Sequence, residues 1–162
     1  MALRLEDIEL IKQLKHRYCR FLDTADAAGL TSVLAPEVVV DYVGATYHFH
    51  AEGSAEVVPL LTAAFHEDFV GVHTVHQPEI TVHDSGESAE GRWTLTDWAV
   101  DLRTGIETSG ACLYRDEYRR IDGEWRISRS AYRRLFEKVA KLDPLPDFPA
   151  RYLAEKAQRP EI

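Results

Sequence analysis

The chain has 162 residues, of which 45% are apolar and 28% charged. That is the size and composition of one globular domain able to bury a core without cross-links. Lys and Arg number 19 against 27 Asp and Glu, a net charge of -8, so the chain lacks the basic excess that binding to a phosphate backbone needs. The two cysteines, Cys19 and Cys112, are too few for a disulfide framework. In apolar surroundings they read as buried small hydrophobes in a reducing compartment. The N-terminus lacks a signal peptide's apolar run, and no stretch reaches the roughly 18 apolar residues of a membrane helix. A cytoplasmic protein with neither nucleic acid nor membrane as partner is expected.

Apolar side chains at Ile8, Ile11, Leu14, Tyr18, Phe21, Leu22 and Ala25 form a helical stripe, predicting a helix over about Asp7–Ala27 that Gly29 stops. A short helical turn around Leu30–Leu34 is expected to end at Pro36. The period then changes. Val38, Val39, Val40 and Val43 predict a strand over Glu37–Val43, with Thr46–His50 as a second strand. Ser54 stands where it would cap a helix running to about His66. Four extended segments follow: Val72–His83, Ala89–Leu102, Ser109–Ile121 and Glu124–Leu135. Asp84-Ser85-Gly86 and Asp122-Gly123 are hairpin turns, and Arg103-Thr104-Gly105 is a loop. After Leu142 the prolines at 144, 146 and 149 predict a surface tail, with a last short helix near Tyr152–Ala157. Helices followed by a long antiparallel meander give an α+β domain over residues 1–142 and a tail over 143–162. A curved sheet wrapped around helices would leave a cone-shaped apolar pocket, the default small-ligand site.

Strand alternation puts Asp97 on one face with Trp93 and Leu95. A carboxylate there is costly unless paired or protonated, so Asp97 is either the partner of a structural arginine or a catalytic or orienting acid. Asp23 flanks the apolar stripe near a helix C-terminus, where a carboxylate opposes the macrodipole. Asp26 reads as surface. His73, between Val72 and Val75, is either a hydrogen-bonded core histidine or a general base facing the cavity. Tyr18 and Tyr42 are core tyrosines or hydrogen-bond donors to a substrate carbonyl. His48 and His50 share a strand face, as a metal pair would, but no third ligand has matching spacing. Seven arginines fall between Arg115 and Arg134. Alternation puts Arg129 and Arg133 on one face, and Arg126 and Arg134 on the other. Arg134, in register with Ser130 and Tyr132, has the reach to meet a ligand carboxylate or phosphate. No Gly-rich phosphate loop, Gly-x-Ser-x-Gly elbow or Cys-x-x-Cys pair occurs, which leaves nucleotide, serine-hydrolase and zinc chemistry without support.

The segments DIELIKQLKHRYCRFLD, HTVHQPEI, EGRWTLTD, LYRDEYRRIDGEW and AYRRLFE, in this order, resemble the SnoaL-like branch of the superfamily of nuclear transport factor two, ketosteroid isomerase and scytalone dehydratase. Within it the resemblance is closest to the bile acid 7α-dehydratases, and it spans about Asp7–Glu137. It implies a cone-shaped α+β barrel, with the N-terminal helices packed in a strongly curved antiparallel or mixed sheet. Carried over residue by residue, the resemblance makes Tyr18, Asp23, His73 and Asp97 catalytic, and Tyr42 and Arg134 substrate-binding.

The implied chemistry is elimination of water from a hydroxylated 3-oxo-4-ene steroid, such as a bile acid intermediate, free or as a coenzyme A thioester. It needs no metal or nucleotide cofactor. His73 would be the base, oriented by Asp23 or Asp97, and Tyr18 would donate to the dienolate oxygen. The other aspartate or Tyr42 would protonate the leaving hydroxyl. The Pro-rich tail and the segment around Phe65–Val70 depart from the family pattern. An isomerase or hydrolase in the same pocket, and a non-catalytic ligand carrier or accessory subunit, are the alternatives. The family habit of assembling through the open sheet face implies a homodimer or homotrimer.

Overall fold

Helix α1 (Leu5–Asp23) is amphipathic as expected: Asp7, Ile11, Leu14, Lys15, Tyr18, Cys19 and Leu22 are buried along one stripe. The computed structural model describes residues 3–156. α1 ends four residues earlier than its stripe suggests. Asp26, read from sequence as surface, is the reason: its side chain accepts from the Gly29 N–H at 2.8 Å and caps a separate helix, α2 (Ala27–Val33). Ala25 turns the chain between the two with φ 48°. Gly29 therefore lies inside α2 and does not stop α1. A Cβ there would meet the Phe21 ring at 2.4 Å, so its absence lets the two helices close on each other.

Strand β1 (Leu34–Val43) pairs antiparallel with β2 (His48–Glu52) on one side. Pro36 stands inside β1 rather than ending a helix, within the register irregularity between Leu34 and Val39 where its missing N–H costs no ladder bond. Helix α3 (Ser54–Ala64) starts from Gly53 at φ 81°, with no side-chain cap; Ser54 is its first residue, not its cap. The long strands β3 (Phe69–Val82), β4 (Ser88–Asp101), β5 (Ile106–Ile121) and β6 (Glu124–Lys141) form an antiparallel meander. Asp122 and Gly123 both have positive φ, the two-residue turn that matches strand twist.

β6 returns beside β1 in parallel, giving one six-stranded mixed sheet of order β2-β1-β6-β5-β4-β3. It curves through register shifts in β1, β3 and β6. The expected curved mixed sheet wrapped on helices is present, and it is open, with β2 and β3 as its edges, so the cone does not close into a barrel. α1 packs against the inner face and touches β3, β6 and α2. Ile11, Leu14, Val40, Trp93, Leu95, Tyr118 and Ile127 meet in the core. The outer face leaves Val72, Leu113, Leu135 and Phe136 exposed.

The shift between Glu117 and Tyr118 also corrects the arginine alternation. Arg126 pairs with exposed Arg119, on the face opposite Tyr118, while Arg134 pairs with buried Cys112 inside the cone. The tail folds back over one end. Phe148 lies 6.2 Å from the Trp98 ring, and Lys156 donates to the carbonyls of Thr24 and Ala25 at 2.8 Å. The last helix, α4, is Tyr152–Glu155; Ala157, at the expected end, lies outside the described residues. No described helix is long and apolar enough to cross a membrane.

Candidate active site

His73 sits near the middle of edge strand β3, directly opposite Asp97 on β4. Asp23 is the last residue of α1. That end of a helix is a poor place for a carboxylate, and the cost is offset by two donors from one residue. Asp23 Oδ1 lies 2.6 Å from His73 Nδ1, and the His73 backbone N–H donates to Oδ2 at 3.1 Å. With Asp23 as acceptor, Nδ1 carries the imidazole proton and Nε2 keeps its lone pair. The Phe65 ring stands 5.7 Å from the imidazole. The pair faces a cleft of about 290 Å³ between α1 and β3, lined by His16, Cys19, Arg20, Asp23, His73, Thr74 and Val75. Small-molecule sites span about 300–1,000 Å³, so this one suits a small ring or part of a larger ligand.

Asp97 does not touch His73 through a hydrogen bond; its two oxygens accept from Arg134 Nη1 and Nη2 at 2.6 and 2.7 Å. Arg134 reaches this position because Gly110 lies beneath it, where a Cβ would come within 2.7 Å of Nη1. Its Nε donates to the Tyr47 hydroxyl at 3.2 Å, and Glu137 Oε2 lies 3.6 Å away. Burial alone would lower the Arg134 pKa, but the bonds to Asp97 outweigh it and raise it. Glu137 in turn accepts from the Ala45 N–H at 2.8 Å and from the Thr46 hydroxyl, clamping the β1–β2 turn to β6.

Tyr18 and Tyr42 meet each other at the centre of the cone, hydroxyl to hydroxyl at 2.5 Å. Both are buried, and burial chiefly raises both pKa values, which keeps the phenols protonated. Tyr132 stacks on Tyr42 at 4.3 Å. Behind them runs a buried polar chain. Tyr42 donates to Ser130 at 3.1 Å, and Ser130 donates to Asp116 at 2.7 Å. Asp116 also accepts from Tyr118 at 3.0 Å. The chain ends at Lys15, fully buried, whose Nζ lies 2.7 Å from Asp116 and 3.5 Å above the Tyr114 ring. Lys15 meets Asp116 as an ion pair rather than along a well-directed hydrogen bond.

The six sequence candidates thus form three pairs: Asp23 with His73, Asp97 with Arg134, Tyr18 with Tyr42. Only the first pair lines the cleft. Sequence reasoning missed Lys15, Asp116, Ser130 and Tyr47. Asp116 carried the same signal as Asp97, a carboxylate alternating with Cys112, Tyr114 and Tyr118. His48 and His50 both face Asp41, at 2.7 and 3.8 Å. Among the described residues no group of three His, Cys, Asp or Glu is arranged to hold a metal.

Solved structures share this arrangement of elements. A protein from Novosphingobium aromaticivorans proposed as an aromatic ring hydroxylase superposes with a TM-score of 0.75 at 21% identity, over 87% of this chain and 96% of that one. One from the same organism proposed as a scytalone dehydratase gives 0.72 at 18% identity, over 97% of each chain. A hexachlorocyclohexane dehydrochlorinase from Novosphingobium barchaimii gives 0.73 at 18% identity, over 91% and 97%. The family model for the SnoaL-like domain matches residues 3–131. On that match, with the helix-lined open sheet behind it, the chain belongs to the SnoaL-like domain family.

Proposed function

We propose that this protein is a cofactor-independent lyase that eliminates water from a hydroxylated alicyclic ketone, with His73 as general base. The observation that carries this reading is the Asp23–His73 pair on the cleft wall. Two of the structural neighbours bear names of elimination enzymes, a dehydratase and a dehydrochlorinase, which supports the same reaction class.

In the proposed step His73 Nε2 takes a proton from a carbon made acidic by a conjugated ketone. The C–H pair forms the new double bond, the C–O bond breaks, and the proton leaves with the hydroxyl as water. Asp23 fixes the tautomer and stabilises the imidazolium formed on the way. Tyr18, kept protonated by burial, is assigned as donor toward the developing dienolate oxygen; at rest its hydroxyl bonds Tyr42 outside the cleft lining, so the role requires the ligand to displace Tyr42. Asp97, the cross-strand neighbour of His73, and Arg134 brace the sheet beside the dyad. The substrate class we assign is a hydroxylated 3-oxo-4-ene steroid, of which bile acid intermediates are one example. We assign residues 1–142 to the domain that carries the site and 143–162 to a tail, whose described part reaches Thr24 and Ala25 through Lys156. Assembly as a homodimer or homotrimer would cover Leu113, Leu135 and Phe136 on the outer face.

The test is incubation of the protein, without added metal or nucleotide, with a 7α-hydroxy-3-oxo-4-ene steroid acid and its coenzyme A thioester. The red-shifted absorbance of the 4,6-dienone, lost in His73→Ala, is the expected result. A His73→Ala variant that turns over at the wild-type rate overturns the mechanism. A product with a migrated double bond and no loss of water reassigns the protein as an isomerase.

A further inference from the structure

We propose that Arg20 and His16 form an anion-binding subsite at the mouth of the His73 cleft, so that the substrate carries a carboxylate. The inference rests on the reading of this cleft as the reaction site and adds the polarity of its ligand.

His16 and Arg20 stand four residues apart on α1 and both line the cleft. Asp23 is the carboxylate in the same lining, and both of its oxygens are engaged by His73. Among the described residues the Arg20 guanidinium has no ion pair and no hydrogen bond. Arg134, the arginine singled out from the sequence for this task, has its Nη atoms taken by Asp97 and its Nε by Tyr47.

A cation in the last turn of a helix is favourable in its own right, which accounts for Arg20 alone. It does not account for His16, one turn earlier on the same side. A basic pair at this spacing weakens a helix whenever both are charged, and the carboxylate in the same lining, Asp23, is bonded to His73. Lys12, one further turn back, extends the row and, among the described residues, is tied only to Glu9 at 3.9 Å. In a chain of net charge -8, a basic row running along α1 to the dyad attracts an anion to that end of the molecule. The planar guanidinium matches a carboxylate by two parallel N–H bonds, with the His16 ring, packed edge-on against Trp93 at 5.9 Å, beside it. The apolar part of such a ligand would lie against Cys19 and Val75, toward Nε2 of His73.

The experiment is a pair of NMR titrations of the ¹⁵N-labelled protein, one with cyclohexanecarboxylate and one with cyclohexanecarboxamide. The two probes share shape and differ in charge, and neither depends on turnover or on a steroid. The carboxylate is expected to bind roughly tenfold tighter, the scale of one charge-assisted hydrogen bond at a half-open site. Arg20→Gln should erase that preference without weakening the amide, and Arg20→Lys should restore part of it. Arg17→Gln, on the same helix but outside the cleft lining, should leave the preference intact. Equal affinities, a preference that survives Arg20→Gln, or no binding of either probe overturns the subsite. Equal affinities alongside loss of turnover in His73→Ala would remove the anion subsite and leave the elimination reaction standing.

Discussion

Asp23 holds His73 at two points, its side-chain Nδ1 and its own backbone N–H, so ring position and tautomer are set by one carboxylate across 50 residues of sequence. Asp23→Asn keeps the shape but turns an amide N–H₂ toward one of the two donors. The imidazole is then expected to flip its proton to Nε2, the atom the reaction needs free. Turnover should fall by roughly 10²- to 10⁴-fold with little change in melting temperature. Ring ¹⁵N shifts of His73 would report the tautomer, and an unchanged tautomer with unchanged rate would remove Asp23 from the mechanism.

The Lys15–Asp116 pair is sealed in the core, and both side chains are inaccessible. Lys15→Met removes one charge and strands the other, at an expected cost of about 3–5 kcal/mol. Lys15→Met combined with Asp116→Asn should recover part of that, because the amide oxygen still accepts from Ser130 or Tyr118. Denaturant unfolding of the single and double variants measures the recovery. Additive losses would show that the two groups do not interact.

Breaking the Asp97–Arg134 pair should be felt mainly in stability. Asp97→Asn leaves a half-buried guanidinium with a neutral partner, for an expected loss of about 3 kcal/mol. Arg134→Gln in the same background should add much less than it costs alone. If instead Asp97→Asn abolishes turnover while the protein melts normally, Asp97 acts on the substrate directly.

Burial pushes the thiols of Cys19 and Cys112 up to about 12. At pH 8 both are therefore almost wholly thiols, and both are buried. A disulfide reagent should label neither in the native protein and both after unfolding. Rapid labelling of Cys19 alone would mean that the cleft opens wider than its resting form.

Burial by itself would raise the Glu137 pKa. The bonds from Thr46 and Ala45, together with the charge of Arg134, reverse this and lower it. A lowered folded pKa gives stability that is complete above the ordinary glutamate value of 4.5 and is lost as pH falls through the folded one. Wild type and Glu137→Gln should differ most near neutrality and converge in acid, as read by melting temperature across pH 2–7. A gap that is constant with pH would show that Glu137 acts by shape alone.

The long strands and the amphipathic first helix were legible because period 2 and period 3.6 are written directly in the side chains. Asp97 and Asp23 stood out by the same logic, as carboxylates on or beside apolar faces. What the pattern could not supply was pairing. Asp97 faces His73 in register yet bonds Arg134, a choice set by Gly110 and by a bulge in β6 that alternation alone skips over. Lys15 was missed because its partner is on β5, 101 positions away in sequence. The end of α1 was misjudged because Asp26 offers the backbone a competing cap, a local hydrogen bond that a count of apolar residues does not register.

The parallel seam between β1 and β6 sets the order in which the molecule can become itself. A ribosome delivers β1, β2 and α3 long before β6, so the early third of the chain must wait, its apolar edge unmatched, for the last strand. No early fragment can finish a sheet on its own, and the dyad, split between α1 and β3, is dressed only when β6 closes behind it. The meander β3–β4–β5 can pair as it emerges, but β1 gains its parallel neighbour only with β6, which favours shielding of that edge until the final strand has emerged.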